Sequence, residues 1–298
     1  MSLSFATTPV RVRVPASSAN LGPGFDALGL ALGLYDEVTV RVGAGGLSVD
    51  AAGEGAADLD CDEGHLVVRA MRAAFDVLGA QPPGLELRCD NRIPHGRGLG
   101  SSAAAIVAGI VAARALVVDR ALDDTAALRL ATEMEGHPDN VAAALLGGLT
   151  VAWYDDGGPR AVRLPVHPSI APLVFVPDEK SSTAHARTVL PDQVPHADAA
   201  ANAGRAALLV EALGRRPELL LDATEDRLHQ SYRAASLRRT TELVQRLRAQ
   251  GHAAVVSGSG PTVLVLGPVE GHERAIALAG HRWAPRALAV DTAGARVG

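Results

Sequence analysis

Apolar and polar residues alternate strictly in "VRVRVPA", where Val10, Val12 and Val14 are set against Arg11 and Arg13. A period of two predicts a strand with one buried face. The same alternation in "DEVTVRV", from Asp36, predicts a second strand, and "GGLSVDAAG", from Gly45, a third, together a hairpin-rich sheet edge. Between the first two runs, "PASSANLGPGFDALGLAL" is dense in Gly, Pro and Asn before it turns apolar, and it reads as a loop.

The period then lengthens. In "HLVVRAMRAAFDVLGA" the apolar positions Val68, Met71, Ala74 or Phe75, and Leu78 recur at helical spacing, and Gly79 supplies a stop. "GLELRCDNRIP" predicts a strand that delivers the chain to a glycine-rich loop. The helix that follows runs to about Leu116, with Ser101 or Ser102 where an N-cap belongs. "LDDTAALRLATEMEG" predicts a helix capped by Asp123 or Asp124 and stopped at Gly136, and "NVAAALLGGLTVAWYDDGG" a short helix, a turn and a strand.

Around residues 155–168 the pattern breaks into "DDGGPRAVRLPVHP", which divides the chain into units 1–158 and 159–298. In the second unit "APLVFVPD" and "HAAVVSGSGPTVLVLG" predict strands around glycine turns, with helical stretches at about 198–213 and 217–250 between them. The order is that of an α+β layer with helices on one face.

Composition narrows the function. A net charge of −5 leaves no excess of cation for a nucleic-acid backbone. Cys61 and Cys89 fit no metal spacing and point to a reducing compartment. The start lacks the apolar core of a signal peptide. The apolar run "AAAIVAGIVAARALVV" falls short of about 18 uninterrupted residues and carries Arg114, so no membrane partner is expected. These features together suggest a cytoplasmic protein.

The loop "RIPHGRGLGSSAAA", from Arg92, is shaped for phosphate, yet the only lysine in the chain is Lys180. A Walker loop is therefore excluded. Gly98, Gly100 and Ala103 satisfy a dinucleotide fingerprint and Asp119 follows about 20 residues on. However, a helix reaching Leu116 leaves no room for the second strand that fold requires. What remains is the physics of a helix start. Its first N–H groups lack partners and carry the positive dipole end. Gly96, Gly98 and Gly100 let the backbone approach a polyphosphate, while Ser101 and Ser102 offer hydroxyls to it or to Mg²⁺. The plain alternative is a flexible loop before a serine-capped helix.

Three stretches in this order, "PASSANLGPGFDALGLAL", "PHGRGLGSSAAA" and "VVSGSGPTVLVL", resemble the signature motifs of the galactokinase, homoserine kinase, mevalonate kinase and phosphomevalonate kinase (GHMP) superfamily. "ANLGPGFDALG", "EGHPDNVAAALLGG", "STAHAR" and "DRLHQSYR" are similar to its homoserine kinase branch, so the resemblance covers essentially the whole chain. It implies two domains, the first with a left-handed βαβ unit and the second ferredoxin-like, with the site between them. It further implies ATP, Mg²⁺, L-homoserine as acceptor and a homodimer.

The resemblance also assigns residues. Arg187 and Arg233 would take the substrate carboxylate, which suits guanidinium geometry. Asp26 would take the ammonium, and Asn20 would orient the hydroxyl. His137, Asp139 and Asn140 would complete the acceptor side, with Asn140 near the reacting hydroxyl and Asp139 holding the group together or acting as base. On composition alone, Asn20, Asp26 and Asp139 are equally good turn and cap residues. The nucleotide would lie on Pro94, His95, Gly96, Arg97, Gly98, Leu99 and Gly100, then on Ser101, Ser102, Ala103 and Ala104. Ser257 and Gly258 would close the other side. His65 stands where the family commonly has Asn, near the base. Mg²⁺ would be held by Ser102 and Glu133, with Glu135 as the alternative glutamate. Mevalonate kinases carry a lysine near the first motif, where this chain has Ser17 and Ser18.

Other chemistries are excluded. "VVSGSGPT" is not the elbow of a serine hydrolase, and the ten histidines are too scattered for a zinc centre. Two rivals remain: another small-molecule kinase of the superfamily, and a catalytically silent binding protein on the same fold.

Overall fold

The computed structural model describes residues 4–79, 81–181 and 183–298. The strand β1 (Val10–Asn20) turns tightly at Leu21–Pro23 into the long strand β2 (Gly24–Gly43). The segment expected as a loop is thus a β-hairpin, registered from Val10↔Val40 to Asn20↔Gly24 with irregularities after Pro15 and Ala19. Its alternation is hidden because Pro15–Asn20 is buried throughout, Ser17 and Ser18 included.

β3 (Gly46–Gly53), α1 (Leu66–Leu78) and β4 (Gly84–Asn91) form a β-α-β unit in which β3 and β4 are parallel. Strand β4 inserts between β2 and β3, so the expected hairpin of β2 with β3 does not form. α2 (Ser101–Leu116) is buried almost all round, as its apolar circumference requires. α3 (Asp124–Glu135) starts where the Asp123 carboxylate accepts the Ala126 N–H at 2.8 Å and stops at Gly136 in a left-handed conformation. α4 (Pro138–Leu146) follows at once, then the hairpin β5 (Leu149–Asp155) and β6 (Gly158–Leu164).

β6 pairs with β5, and β5 with β2, so the first sheet continues to Leu164. The division expected at residue 158 therefore falls inside that sheet, which the chain leaves only after Leu164. The second sheet contains β7 (Leu173–Val176), β8 (Ala253–Val256), β9 (Val263–Leu266) and β10 (Ala284–Ala287) in the order β10-β7-β9-β8, all antiparallel. With α5 (Thr183–Thr188) and α6 (His196–Gly214) after β7 and α10 (His272–Ala279) before β10, this is a ferredoxin-like arrangement.

The stretch expected to be helical over 217–250 is broken into α7 (Leu220–Ala223), α8 (Gln230–Arg233) and α9 (Arg238–Arg248). The Asp226 carboxylate causes the break. It accepts the N–H groups of Leu228, His229 and Gln230 at 2.9, 3.2 and 2.8 Å, offering the backbone an alternative to the helix ladder.

Finally the chain returns to the first sheet. β11 (Arg296–Val297) pairs with β1. Just before it the buried Asp291 accepts from Tyr35 Oη, Ala293 N and Gly294 N. Among the described residues no helix is long and apolar enough to cross a membrane.

Candidate active site

The β1–β2 turn is gripped from the second domain. Gly258 N–H donates to Ala19 O at 3.1 Å, and Asn202 Nδ2 to Pro23 O at 2.7 Å. A cleft of about 200 Å³ opens there, bounded by the turn, the glycine loop, the α3–α4 junction, α5 and α8. Asn20, Asp26, His137, Asp139, Asn140, Arg187 and Arg233 all line it. The structure thus brings the whole expected acceptor set together, from positions more than 200 residues apart.

The phosphate side is built by glycine. Gly100 is the N-cap of α2 with φ +69°, where a β-carbon would collide with Ser17 Oγ. Gly98, φ +73°, presses on the Ser257 carbonyl in the same way. Ser101 and Ser102 are the first helical residues and neither caps the helix, contrary to expectation. Their side chains line the cleft instead. No acid lies in the first turn of α2, and its positive end faces the cleft.

The Ser102 hydroxyl donates to Glu135 Oε1 at 2.6 Å. Burial pushes the Glu135 carboxyl above the usual carboxylate range, against the effect of this bond. Glu133, the expected metal ligand, points to the exposed side of α3 and does not line the cleft. Glu135, the alternative, lines it. Among the described residues no three acidic, His or Cys side chains form a metal cage. Two hard oxygens beside a phosphate nest still suit Mg²⁺, which takes most of its ligands from phosphate and water.

The acceptor side is a hydrogen-bonded lattice. His137 Nδ1 lies 2.7 Å from Asp139 Oδ1, which also accepts the Asn140 N–H at 2.7 Å. Burial opposes the charge on His137, but the bond to Asp139 and the charges of Asp139 and Glu135 outweigh it and raise the imidazole above its ordinary value. Asn140 Oδ1 accepts from Ser17 Oγ at 2.9 Å, which leaves the amide hydrogens for the cleft. Asn20 uses Nδ2 on Gly258 O at 2.9 Å and Oδ1 on Asp26 N at 3.0 Å. Arg187 grips Asp26 with two nitrogens, and that bond raises the arginine further. Arg233 is buried and donates from Nε to Ala186 O at 2.9 Å.

Some expected nucleotide residues act from behind. The Arg97 guanidinium donates to His95 O, Pro177 O and Asp178 O, so it clamps the loop to the second domain and does not line the cleft. Leu99, Ala103 and Ala104 are core residues, and Pro94 is buried. Ser257 Oγ lies 2.6 Å from Gly98 O and 2.8 Å from Ser18 Oγ, behind the loop. Gly258 lines the cleft. Where a lysine stands in mevalonate kinases, Ser17 and Ser18 thus brace the neighbouring loops.

Next to the loop lies a second, largely apolar pocket of about 170 Å³, walled by Val38, Leu59, Leu66, Val67, Ala104 and Ala108. His65 and His95 face it, and burial lowers both imidazoles. His65 is buried with neither ring nitrogen partnered, which marks it for a ligand's donor or acceptor. Asp36, which the sequence did not single out, is also there. Ser182 of "STAHAR" lies outside the described residues.

A glycine nest and helix start beside an amino-acid-sized polar cleft, between these two domains, define a GHMP kinase. The family models for the GHMP kinases N terminal domain and the GHMP kinases C terminal match residues 65–148 and 200–284. The chain is 62% identical to the homoserine kinase of Streptomyces coelicolor, over 99% of this chain and 96% of that one. The crystal structure of homoserine kinase from Cytophaga hutchinsonii superposes with a TM-score of 0.87 at 27% identity, covering 97% of both chains. A putative homoserine kinase from Listeria monocytogenes superposes at 0.76 with 33% identity, over 97% of this chain and 99% of that one. The chain belongs to the GHMP kinases and, within them, to the homoserine kinase family.

Proposed function

We propose that the enzyme transfers the γ-phosphoryl group of ATP to the side-chain hydroxyl of L-homoserine, giving O-phospho-L-homoserine on the way to threonine, in the cytoplasm. The observation that carries this is the juxtaposition of Arg187, Arg233 and Asp26 beside the phosphate nest. Two guanidiniums and a carboxylate match the two charges of an amino acid, and neither a sugar nor mevalonate presents both.

The apolar pocket accepts the adenine, with His65 as its polar contact. The triphosphate runs along Gly96–Gly100 onto the N–H groups of Ser101 and Ser102. Ser102 and Glu135 would hold Mg²⁺, which would supply positive charge to offset that of the phosphates. Arg187 and Arg233 take the substrate carboxylate and Asp26 its ammonium. Asn140, with amide hydrogens turned to the cleft, orients the oxygens at the reacting centre. The homoserine oxygen forms a bond to the γ-phosphorus, the bond to the ADP oxygen breaks, and the hydroxyl proton passes to solvent water. Transfer through a loose transition state rests mainly on positioning and charge stabilisation. That fits an Asp139 carboxylate already committed to His137 and the Asn140 N–H.

The test is ADP release from Mg-ATP with L-homoserine, D-homoserine, L-serine, L-threonine, mevalonate and galactose. A strong preference for L-homoserine is expected. Preference for another acceptor would move the chain to a different kinase activity, and ATP binding without turnover would make it a silent binder.

A further inference from the structure

His229 is fully buried behind Arg233, which lines the acceptor cleft. Its Nε2 lies 2.8 Å from the carbonyl oxygen of Gly22, in the β1–β2 turn. A carbonyl only accepts, so Nε2 carries a hydrogen. Its Nδ1 lies 3.0 Å from a terminal nitrogen of Arg233. A guanidinium only donates, so Nδ1 carries a lone pair. Both contacts are satisfied by one species, the neutral Nε2–H imidazole. The ring stacks on Phe25 with centroids 5.2 Å apart, and the guanidiniums of Arg187 and Arg233 lie 5.7 and 5.5 Å from the centroid of that same Phe25 ring.

Two bonds therefore fix the Arg233 guanidinium, one to Ala186 O and one to His229. The second runs on to the turn that carries Asn20 and Asp26. We propose that His229 is a positioning residue for the acceptor, which aims Arg233 at the substrate carboxylate and ties that arginine to the wall that takes the ammonium. This rests on the amino-acid kinase reading above. His229 touches no substrate atom; it acts through Arg233.

The charged groups around the ring agree with a neutral imidazole. Arg233 faces Nδ1, Asp226 lies 3.7 Å from Nε2 with its oxygens engaged by backbone N–H groups, and Asp26 and Arg187 stand further off. Burial lowers the imidazole below its ordinary value, with Asp226 opposing and Arg233 assisting. A protonated ring would turn an N–H toward Arg233 and break the arrangement.

The test compares L-homoserine with 3-aminopropan-1-ol, the same acceptor without its carboxylate, in wild type and His229→Leu. Losing a hydrogen bond that orients a charged group predicts a rise in KM for L-homoserine of roughly 10- to 100-fold. The KM for ATP and the use of 3-aminopropan-1-ol should stay within about threefold, a margin well below that loss. The preference of the enzyme for the carboxylate-bearing acceptor thus collapses. His229→Gln, which keeps one donor and one acceptor, should restore much of it. A merely structural role would depress both acceptors together, and an unchanged preference would equally overturn the proposal. Should the leucine variant not fold, His229→Phe, which keeps the stack on Phe25 and makes neither hydrogen bond, carries the same comparison. Failure of the wild type to use L-homoserine would instead overturn the function reading.

Discussion

Arg187 and Asp26, 161 residues apart, close on each other through two hydrogen bonds of 3.0 and 2.6 Å. Each is the expected partner of one substrate charge, and the two form an ion pair with each other. An incoming zwitterion exchanges that pair for two new ones, and neither charge is left uncompensated. This limits affinity, because the attraction between the two residues is lost as the substrate's contacts are gained. It also favours acceptors that carry both charges over acceptors with only one.

Arg187→Ala should raise the KM for L-homoserine roughly 100-fold, the loss of a bidentate charged contact. The KM for ATP should change little. Asp26→Asn should erode discrimination against 4-hydroxybutanoate, which lacks the amine. Steady-state kinetics with both acceptors settle this. Equal losses toward ATP and homoserine in both variants would remove the assignment.

Glu135 and Glu133 separate the metal assignment. Glu135→Gln should lower kcat/KM for Mg-ATP roughly 100-fold and raise the magnesium needed for half-maximal rate, as for loss of a charge-stabilising group at the transferring phosphoryl. Glu133→Gln, altering an exposed acid, should stay within about twofold. A magnesium titration of both variants decides it, and the reverse ranking would return the role to Glu133.

That choice shows what the sequence did and did not display. Leu128, Ala131 and Thr132 form the buried stripe of α3, and Glu135 continues it one heptad from Leu128, whereas Glu133 is out of phase. Motif alignment fits either glutamate, and the helical spacing is what sets them on different faces. Strands β1 and β2 were legible where one face meets water, and lost in Pro15–Leu32, where burial on both faces erases the alternation. The broken helix at 224–237 was hidden because one side chain, Asp226, captures three backbone N–H groups within an otherwise helical pattern. The acceptor residues were legible through their motifs alone. Nothing local distinguishes Arg187 and Arg233 from the chain's many other arginines. The second bond of Arg233, to His229, exists only in three dimensions.

Asp36 supplies a stability test. Burial, reinforced by Glu54, raises its carboxyl to about 6, although the N–H groups of Ile93 and Arg92 donate to it. Between its ordinary value and about pH 6 the folded state then binds more protons than the unfolded state, so this group's contribution falls as pH rises. Asp36→Asn keeps an acceptor for both N–H groups and removes the titration. The variant should gain stability relative to wild type from pH 4 to pH 7, by about 3 kcal/mol at most. Denaturant unfolding across that range measures it. A difference independent of pH would mean that Asp36 is ionised at no cost.

His137 gives the opposite sign and bears on the chemistry itself. Its imidazole is raised by Asp139 and Glu135 against the effect of burial, so its favourable interaction is complete below the unfolded value and fades as pH rises through the folded one. The cation donates from Nδ1 to Asp139 and leaves Nε2–H as a donor in the cleft. Were Asp139 a free base, activity would be limited on the acid side by its protonation. Its Oδ1 already takes two donors, and His137, raised above its ordinary value, loses its charge as pH rises. The expected profile of kcat/KM for L-homoserine therefore falls on the alkaline side as His137 loses its proton. His137→Gln should lower the plateau roughly 10- to 100-fold, as for loss of a charged donor, and abolish that fall. Rate profiles from pH 6 to 10 for the two proteins provide the comparison. An identical alkaline limb in the variant would assign the titration to another group and return the question of a base to Asp139.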